Sequence, residues 1–122
     1  MSGKRALVIE DDSTISRLTA ALMRRAGFRP VDVAGDGVEA LELLRKYTYC
    51  VATLDLRMPR MSGYEVLDEL KRNPIENCPK IIVATADKLY RERDLDPDLV
   101  AAVLTKPFDI QTFITTVRSC LS

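Results

Sequence analysis

The feature that most constrains this chain is a regular alternation. Short apolar runs are separated, from one end to the other, by amphipathic stretches of helical period. Ala6-Leu7-Val8-Ile9, Val51-Ala52-Thr53-Leu54 and Lys80-Ile81-Ile82-Val83-Ala84 show no apolar–polar alternation. Runs of this length and texture read as strands buried on both faces. Val31-Asp32-Val33-Ala34 and the run from Leu99 to Leu104 complete a set of five.

Helices are expected after each strand. Ile15, Leu18, Leu22, Met23 and Ala26 recur at helical spacing, with Ser13 expected as the cap and Gly27 as the stop. After Gly35-Asp36-Gly37, a second helix is marked by Val38, Leu41, Leu44 and Tyr47. Ser62-Gly63-Tyr64-Glu65 has capping-box spacing and opens a third through Leu67 and Leu70, ended by Asn73-Pro74. Lys88 to Leu95 reads as a short fourth helix before the Asp96-Pro97-Asp98 turn. Asp109 is expected to cap a last helix that presents Ile110, Phe113, Ile114, Val117 and Leu121 on one face. Strands alternating with helices imply parallel pairing, right-handed crossovers and helices on both faces. The predicted fold is therefore α/β, a five-stranded doubly wound parallel sheet, and 122 residues suffice for one such domain spanning 1–122.

Composition removes several function classes. Lys plus Arg and Asp plus Glu are both 18, so no bulk charge favours nucleic acid or an anionic membrane. The absence of His excludes Ser-His-Asp and Cys-His catalysis and His-ligated zinc. Cys50, Cys78 and Cys120 are odd in number and widely spaced, as expected of reduced thiols in a cytosolic protein. No run resembles a signal peptide or reaches membrane-spanning length, and the expected location is cytoplasmic.

The residues with chemistry lie just beyond strand ends. Glu10, Asp11 and Asp12 follow the first strand, Asp55 the third, Thr85 the fourth and Lys106 the fifth. In an open parallel sheet these ends share one edge, where ligands bind. Carboxylates gathered there repel one another unless a cation neutralises them. Oxygen-only donors point to Mg²⁺ rather than zinc. Acids, a metal, a hydroxyl and a Lys suit the handling of a phosphoryl group, with an Asp as nucleophile. Singly, most of these residues read more plainly. Asp12 is a helix cap, Thr85 a polar strand end and Lys106-Pro107 a loop. Arg24-Arg25, Arg45-Lys46 and Arg91-Glu92-Arg93 are solvated helix faces, and Phe28, Tyr47, Tyr49 and Phe113 are packing residues. Their joint placement at successive strand ends carries the site reading.

On Ala6-Leu7-Val8-Ile9-Glu10-Asp11-Asp12, the run from Asp55 to Leu67, Ile82-Val83-Ala84-Thr85-Ala86 and Leu104-Thr105-Lys106-Pro107-Phe108, the sequence resembles the receiver domains of two-component response regulators over nearly its whole length. That resemblance implies a (βα)5 flavodoxin-like receiver fold with strand order 2-1-3-4-5. It implies Asp55 as phosphoacceptor from a sensor histidine kinase or a histidine phosphotransfer protein, giving an aspartyl phosphate that hydrolyses slowly. Asp11 is then a direct Mg²⁺ ligand and Glu10 one through water, with Asp55 and the backbone carbonyl of Arg57 completing the set. Lys106 pairs with the phosphoryl oxygens, Thr85 bonds them after transfer, and the Lys106-Pro107 bond is expected to be cis.

The sequence departs from its relatives in places. Val103 stands where most carry Tyr or Phe, Leu99-Val100 replaces the usual Gly-Ala, and Asp96-Pro97-Asp98 alters the end of the fourth helix. Arg60 and Ser62 replace the frequent Gly and Asp of the loop after the acceptor. Phosphorylation is expected to survive these changes, while readout passes through the loop after Thr85 rather than through an aromatic swing. The output partner is unknown, and neither a nucleic-acid nor a membrane partner is expected. Three forms stay open: a stand-alone regulator, a relay intermediate and a domain of a longer protein. The competing reading is a constitutive interaction module of the same fold that has lost its switch. A nucleotide- or flavin-binding variant is disfavoured because no Gly-rich loop follows the first strand.

Overall fold

The computed structural model describes residues 4–87, 89–90 and 94–121. Five strands form one parallel sheet: β1 (Ala6–Ile9), β2 (Val31–Ala34), β3 (Val51–Leu54), β4 (Lys80–Thr85) and β5 (Val100–Thr105), in the order β2-β1-β3-β4-β5. The described residues hold four helices: α1 (Ser13–Arg25), α2 (Gly37–Lys46), α3 (Gly63–Arg72) and α4 (Ile110–Leu121). The helix expected from Lys88 to Leu95 falls partly outside the described residues, at 88 and 91–93.

Side chains alternate across the sheet and build two cores. Leu7, Ile9, Ala52, Leu54, Ile81 and Val83 pack with Ala40, Leu41, Leu44, Val66, Leu67 and Leu70 from α2 and α3. Ala6, Val8, Val51, Ile82 and Leu104 pack with Ala20, Met23, Phe113 and Val117 from α1 and α4. Every residue of β1 and β3 is buried, as expected of strands covered on both faces. The two outer strands differ, because each has a neighbour on one side only. In β2 only Ala34 is buried, and in β5 only Leu104. The β4–β5 register also slips by one: Ile81 faces Val100 but Ile82 faces Ala102, which leaves Ala101 as an extra residue.

Three local expectations are corrected. The N-cap of α1 is Asp12, in keeping with its plainer reading as a helix cap, rather than Ser13, because the Asp12 carboxylate accepts the Ile15 N–H at 2.9 Å. The buried face of α1 is Ser16, Thr19, Ala20 and Met23, and Leu18 is 63% exposed. Ser16 and Thr19 can be buried because their hydroxyls donate to the carbonyls of Ser13 and Ile15, at 3.1 and 2.8 Å. Tyr47 is no core residue either. It ends α2, is exposed, and has the Arg5 guanidinium 4.3 Å from its ring centre.

Other expectations hold. Ser62 and Glu65 form the reciprocal capping box of α3, and Asp109 accepts the Thr112 N–H at 2.6 Å. Gly27 follows α1 with a left-handed φ of 104°. Phe28, Tyr49 and Phe113 are buried. The Tyr49 hydroxyl donates to Asp32 at 2.7 Å, and Arg5 pairs with the same carboxylate oxygen at 2.9 Å. Burial, with Asp32 close by, pushes the Tyr49 hydroxyl well above its ordinary pKa.

Candidate functional site

The parallel ladder runs one residue past the strands and fixes the backbone of the site. The Glu10 N–H donates to the Ala34 carbonyl at 3.0 Å, and the Asp55 N–H to the Ile9 carbonyl at 3.0 Å. The Lys106 N–H donates to the Thr85 carbonyl at 2.8 Å. The Lys106–Pro107 peptide is cis, as expected. Glu10, Asp55 and Thr85 are buried, whereas Asp11 is exposed.

These residues, with Asp12, Ile15, Arg57, Ala86 and Asp87, line one cleft of about 510 Å³. Glu10, Asp11 and Asp55 each place a carboxylate oxygen within 4.8 Å of the others. Two unit charges at that separation repel by about 3 kcal/mol at an effective dielectric of about 20. Lys106 offsets part of this. Its Nζ is ion-paired with Glu10 and lies 3.6 Å from an Asp55 oxygen. Glu10 nonetheless titrates above the ordinary carboxylate range. Burial raises it most and the Asp55 charge adds to this, while the Lys106 hydrogen bond pulls the other way. One ammonium among three carboxylates leaves a site that favours further positive charge. A donor set of oxygens alone, partly open to solvent, fits a hard divalent cation such as Mg²⁺.

Backbone amides hold the remaining groups. The Arg57 N–H donates to Asp55 Oδ1 at 3.3 Å, and the Asp12 N–H to Glu10 Oε2 at 3.3 Å. The Asp87 N–H donates to Thr85 Oγ1 at 3.0 Å. Gly63 begins α3 hard against the end of β3. Its N–H donates to the Leu56 carbonyl at 3.1 Å, and an added Cβ would lie 2.3 Å from the Asp55 carbonyl oxygen. Two residues of the site had no functional reading in the sequence. Gly63 was legible only as part of the capping box. Asp87 gave no signal, since its partner Arg57 is 30 positions away.

An open parallel α/β sheet with carboxylates and a lysine converging at its C-terminal edge defines a class of domains with a ligand crevice at that edge suited to a hard cation. Comparison with known proteins narrows this. The profile of the response regulator receiver domain matches residues 6–118, and the chain belongs to that family of two-component signalling domains. It is 32% identical over 123 residues to the transcriptional regulatory protein PdtaR of Mycobacterium tuberculosis, covering 98% of this chain and 57% of that protein. It is 31% identical to a CpxR homologue of Haemophilus influenzae, covering 96% of this chain and 50% of that protein. The chain thus spans about half the length of these relatives. Among solved structures, it is similar to the response regulator TrrA of Thermotoga maritima in complex with Mg²⁺ and beryllofluoride, with a TM-score of 0.83 and 31% identity over 97% of this chain and 99% of that one. A receiver domain from Bermanella marisrubri gives a TM-score of 0.87 at 26% identity, over 99% of this chain and 100% of the other. Among the described residues, no helix is long and apolar enough to cross a membrane.

Proposed function

We propose that the chain is a phosphorylation-dependent switch with Asp55 as its phosphoacceptor. The observation that carries this reading is the placement of Lys106, paired with Glu10 and 3.6 Å from the Asp55 carboxylate inside an acidic cleft. An Asp55 oxygen attacks the phosphorus of a phosphohistidine on a sensor histidine kinase or a histidine phosphotransfer protein. The P–O bond forms as the P–N bond breaks, and its electron pair stays on the donor imidazole. Glu10, Asp11, Asp55 and the Arg57 backbone carbonyl would hold Mg²⁺, which supplies neutralisation of the phosphoryl charge when bound. Lys106 follows the new negative charge onto the phosphoryl oxygens. The Thr85 hydroxyl, whose oxygen accepts the Asp87 N–H, has its own proton left to donate to them. Slow attack by water on phosphorus returns Asp55 and inorganic phosphate.

Signalling is read as protein–protein contact with a downstream partner, without direct nucleic-acid or membrane binding. Three free cysteines support a cytoplasmic location. The constitutive alternative draws on Val103, half-buried beside a cavity of about 660 Å³ with Tyr90 and Leu95 on its wall. Acetyl phosphate and Mg²⁺, followed by intact-mass measurement, test the choice. One acid-labile phosphoryl group is expected on the wild type and none on Asp55→Asn. A wild type that stays unmodified leaves the constitutive module as the reading, and full modification of the variant moves the acceptor elsewhere.

A further inference from the structure

A chain of contacts along the wall of the cleft ends on the Thr85 hydroxyl, which on the proposed reading bonds the phosphoryl oxygens after transfer. Nε and Nη2 of Arg57 donate to one oxygen of Asp87 at 3.0 and 2.8 Å. The other Asp87 oxygen accepts the Leu89 N–H at 2.9 Å, and the Asp87 N–H donates to Thr85 Oγ1 at 3.0 Å. At the far end, the Arg57 N–H donates to Asp55. The acceptor's own loop is therefore tied to the Thr85 loop through one ion pair. Its two members differ in exposure: the Arg57 side chain is 72% exposed and that of Asp87 9%. The Asp87 carboxyl lies below its usual range, held there by the Leu89 N–H and Arg57.

Movement of Thr85 toward Asp55 would disturb these contacts. Either its oxygen leaves the Asp87 amide or the whole turn moves and drags Asp87 from Arg57. We infer that Arg57 and Asp87 are positioning residues that latch the two loops together and hold Thr85 back in the unphosphorylated chain. The latch thereby sets how readily the phosphorylated arrangement is reached. This rests on the reading of Asp55 as phosphoacceptor. A pair with one exposed partner contributes modestly, so its loss should shift the equilibrium by about two- to fivefold.

The probe is beryllofluoride, a phosphoryl mimic, titrated at saturating Mg²⁺ and followed by ¹⁹F NMR. The variants are Arg57→Met, Asp87→Asn and the double substitution. Asp87→Asn keeps an oxygen for the Leu89 N–H and removes the charge. A latch makes both single variants bind about two- to fivefold tighter, with the double variant no tighter than either. A general field effect instead moves the two singles in opposite directions, because one loses a positive and the other a negative charge. That opposite pattern is expected for Mg²⁺ alone, which serves as the internal control. Opposite, additive or absent shifts with beryllofluoride overturn the latch while leaving the acceptor reading intact. A wild type that takes up no beryllofluoride overturns both, and Asp55→Asn must abolish uptake for either to stand.

Discussion

Gly63→Ala should be among the most damaging single-methyl additions this chain can suffer. The new Cβ would meet the Asp55 carbonyl oxygen at 2.3 Å, the Leu56 Cα at 2.8 Å and the Asp55 carbonyl carbon at 3.0 Å. All three are backbone atoms, so no rotamer change relieves the contact. Ordinary carbon–oxygen contact needs roughly 1 Å more. Supplying it means sliding the start of α3 off β3, yet α3 is anchored by buried Val66, Leu67 and Leu70. Replacing Gly by Ala inside a helix normally favours the fold by about 0.5–1 kcal/mol. Overpacking costs about 1–3 kcal/mol, and a rigid backbone target belongs at the upper end. A net loss of about 2 kcal/mol is expected, some 30-fold in the folding equilibrium and roughly 8 °C in Tm for a domain of this size. Urea unfolding with an unchanged slope measures it. Gly35→Ala is the control, since nothing lies within 4 Å of a Cβ there. The acceptor should suffer as well, because the group displaced is its own carbonyl, so phosphoryl uptake from acetyl phosphate should slow in folded Gly63→Ala. A variant as stable as wild type would refute the close-approach reasoning.

Four further outcomes are expected. Tyr49→Phe removes a buried hydroxyl that donates to the charged Asp32 and should lose about 1.5 kcal/mol in urea unfolding; a loss below about 0.5 kcal/mol would show that Arg5 alone satisfies Asp32. Asp36, Asp87 and Asp109 all sit below the ordinary Asp value of 3.8, each held first by a backbone N–H (of Glu39, Leu89 and Thr112 respectively). Their folded pKa values are depressed, so their stabilisation is present above that value and disappears as pH falls through the folded ones; urea midpoints should drop there, less steeply in Asp36→Asn. Glu10 has the opposite sign: its raised pKa makes stability fall as pH climbs from its ordinary 4.5 through the folded value. Finally, added Mg²⁺ should raise the Tm of the wild type and do so much less for Asp11→Asn, while equal shifts would remove Asp11 from the metal site.

The sequence was most legible where burial is symmetric. β1, β3 and the core of β4 are covered on both faces, so their runs show no apolar–polar alternation, Thr53 being buried as well, and the acids beyond β1 and β3 stand out. Glu10, Asp55, Thr85 and Lys106 could be placed at one edge because parallel topology alone brings strand ends together. Legibility failed where side chains satisfy themselves locally. Ser16 and Thr19 look polar in sequence, but each donates to its own helix, and so they take the sheet-facing side from Leu18. Likewise Asp12 outcompetes Ser13 as a cap by a single residue, which periodicity cannot resolve. The Arg57–Asp87 pair joins two loops, where no period exists to be read. Arg60 is similar: its φ of 63° lies in the left-handed region that favours glycine, and its guanidinium bonds Asp36 at 2.6 Å, a partner 24 positions away.

A sheet is finite only if its margins refuse another strand, and the two margins here refuse by different means. Along β5 the slip at Ala101 breaks the regular spacing of amides and carbonyls that an incoming chain would have to match. Along β2 the deterrent is a charge, for Asp32 lies within the strand itself, fixed by Arg5 and the Tyr49 hydroxyl. Exposed Val33 is therefore flanked by an ion pair rather than by more apolar surface. Substituting Asp32 by Val would leave Val31, Val33 and the new side chain as an uninterrupted β-branched margin, the type of edge on which fibrillar stacking begins. Colloidal behaviour on that side of the molecule thus hangs on one carboxylate that takes no part in the chemistry at the opposite end of the strands.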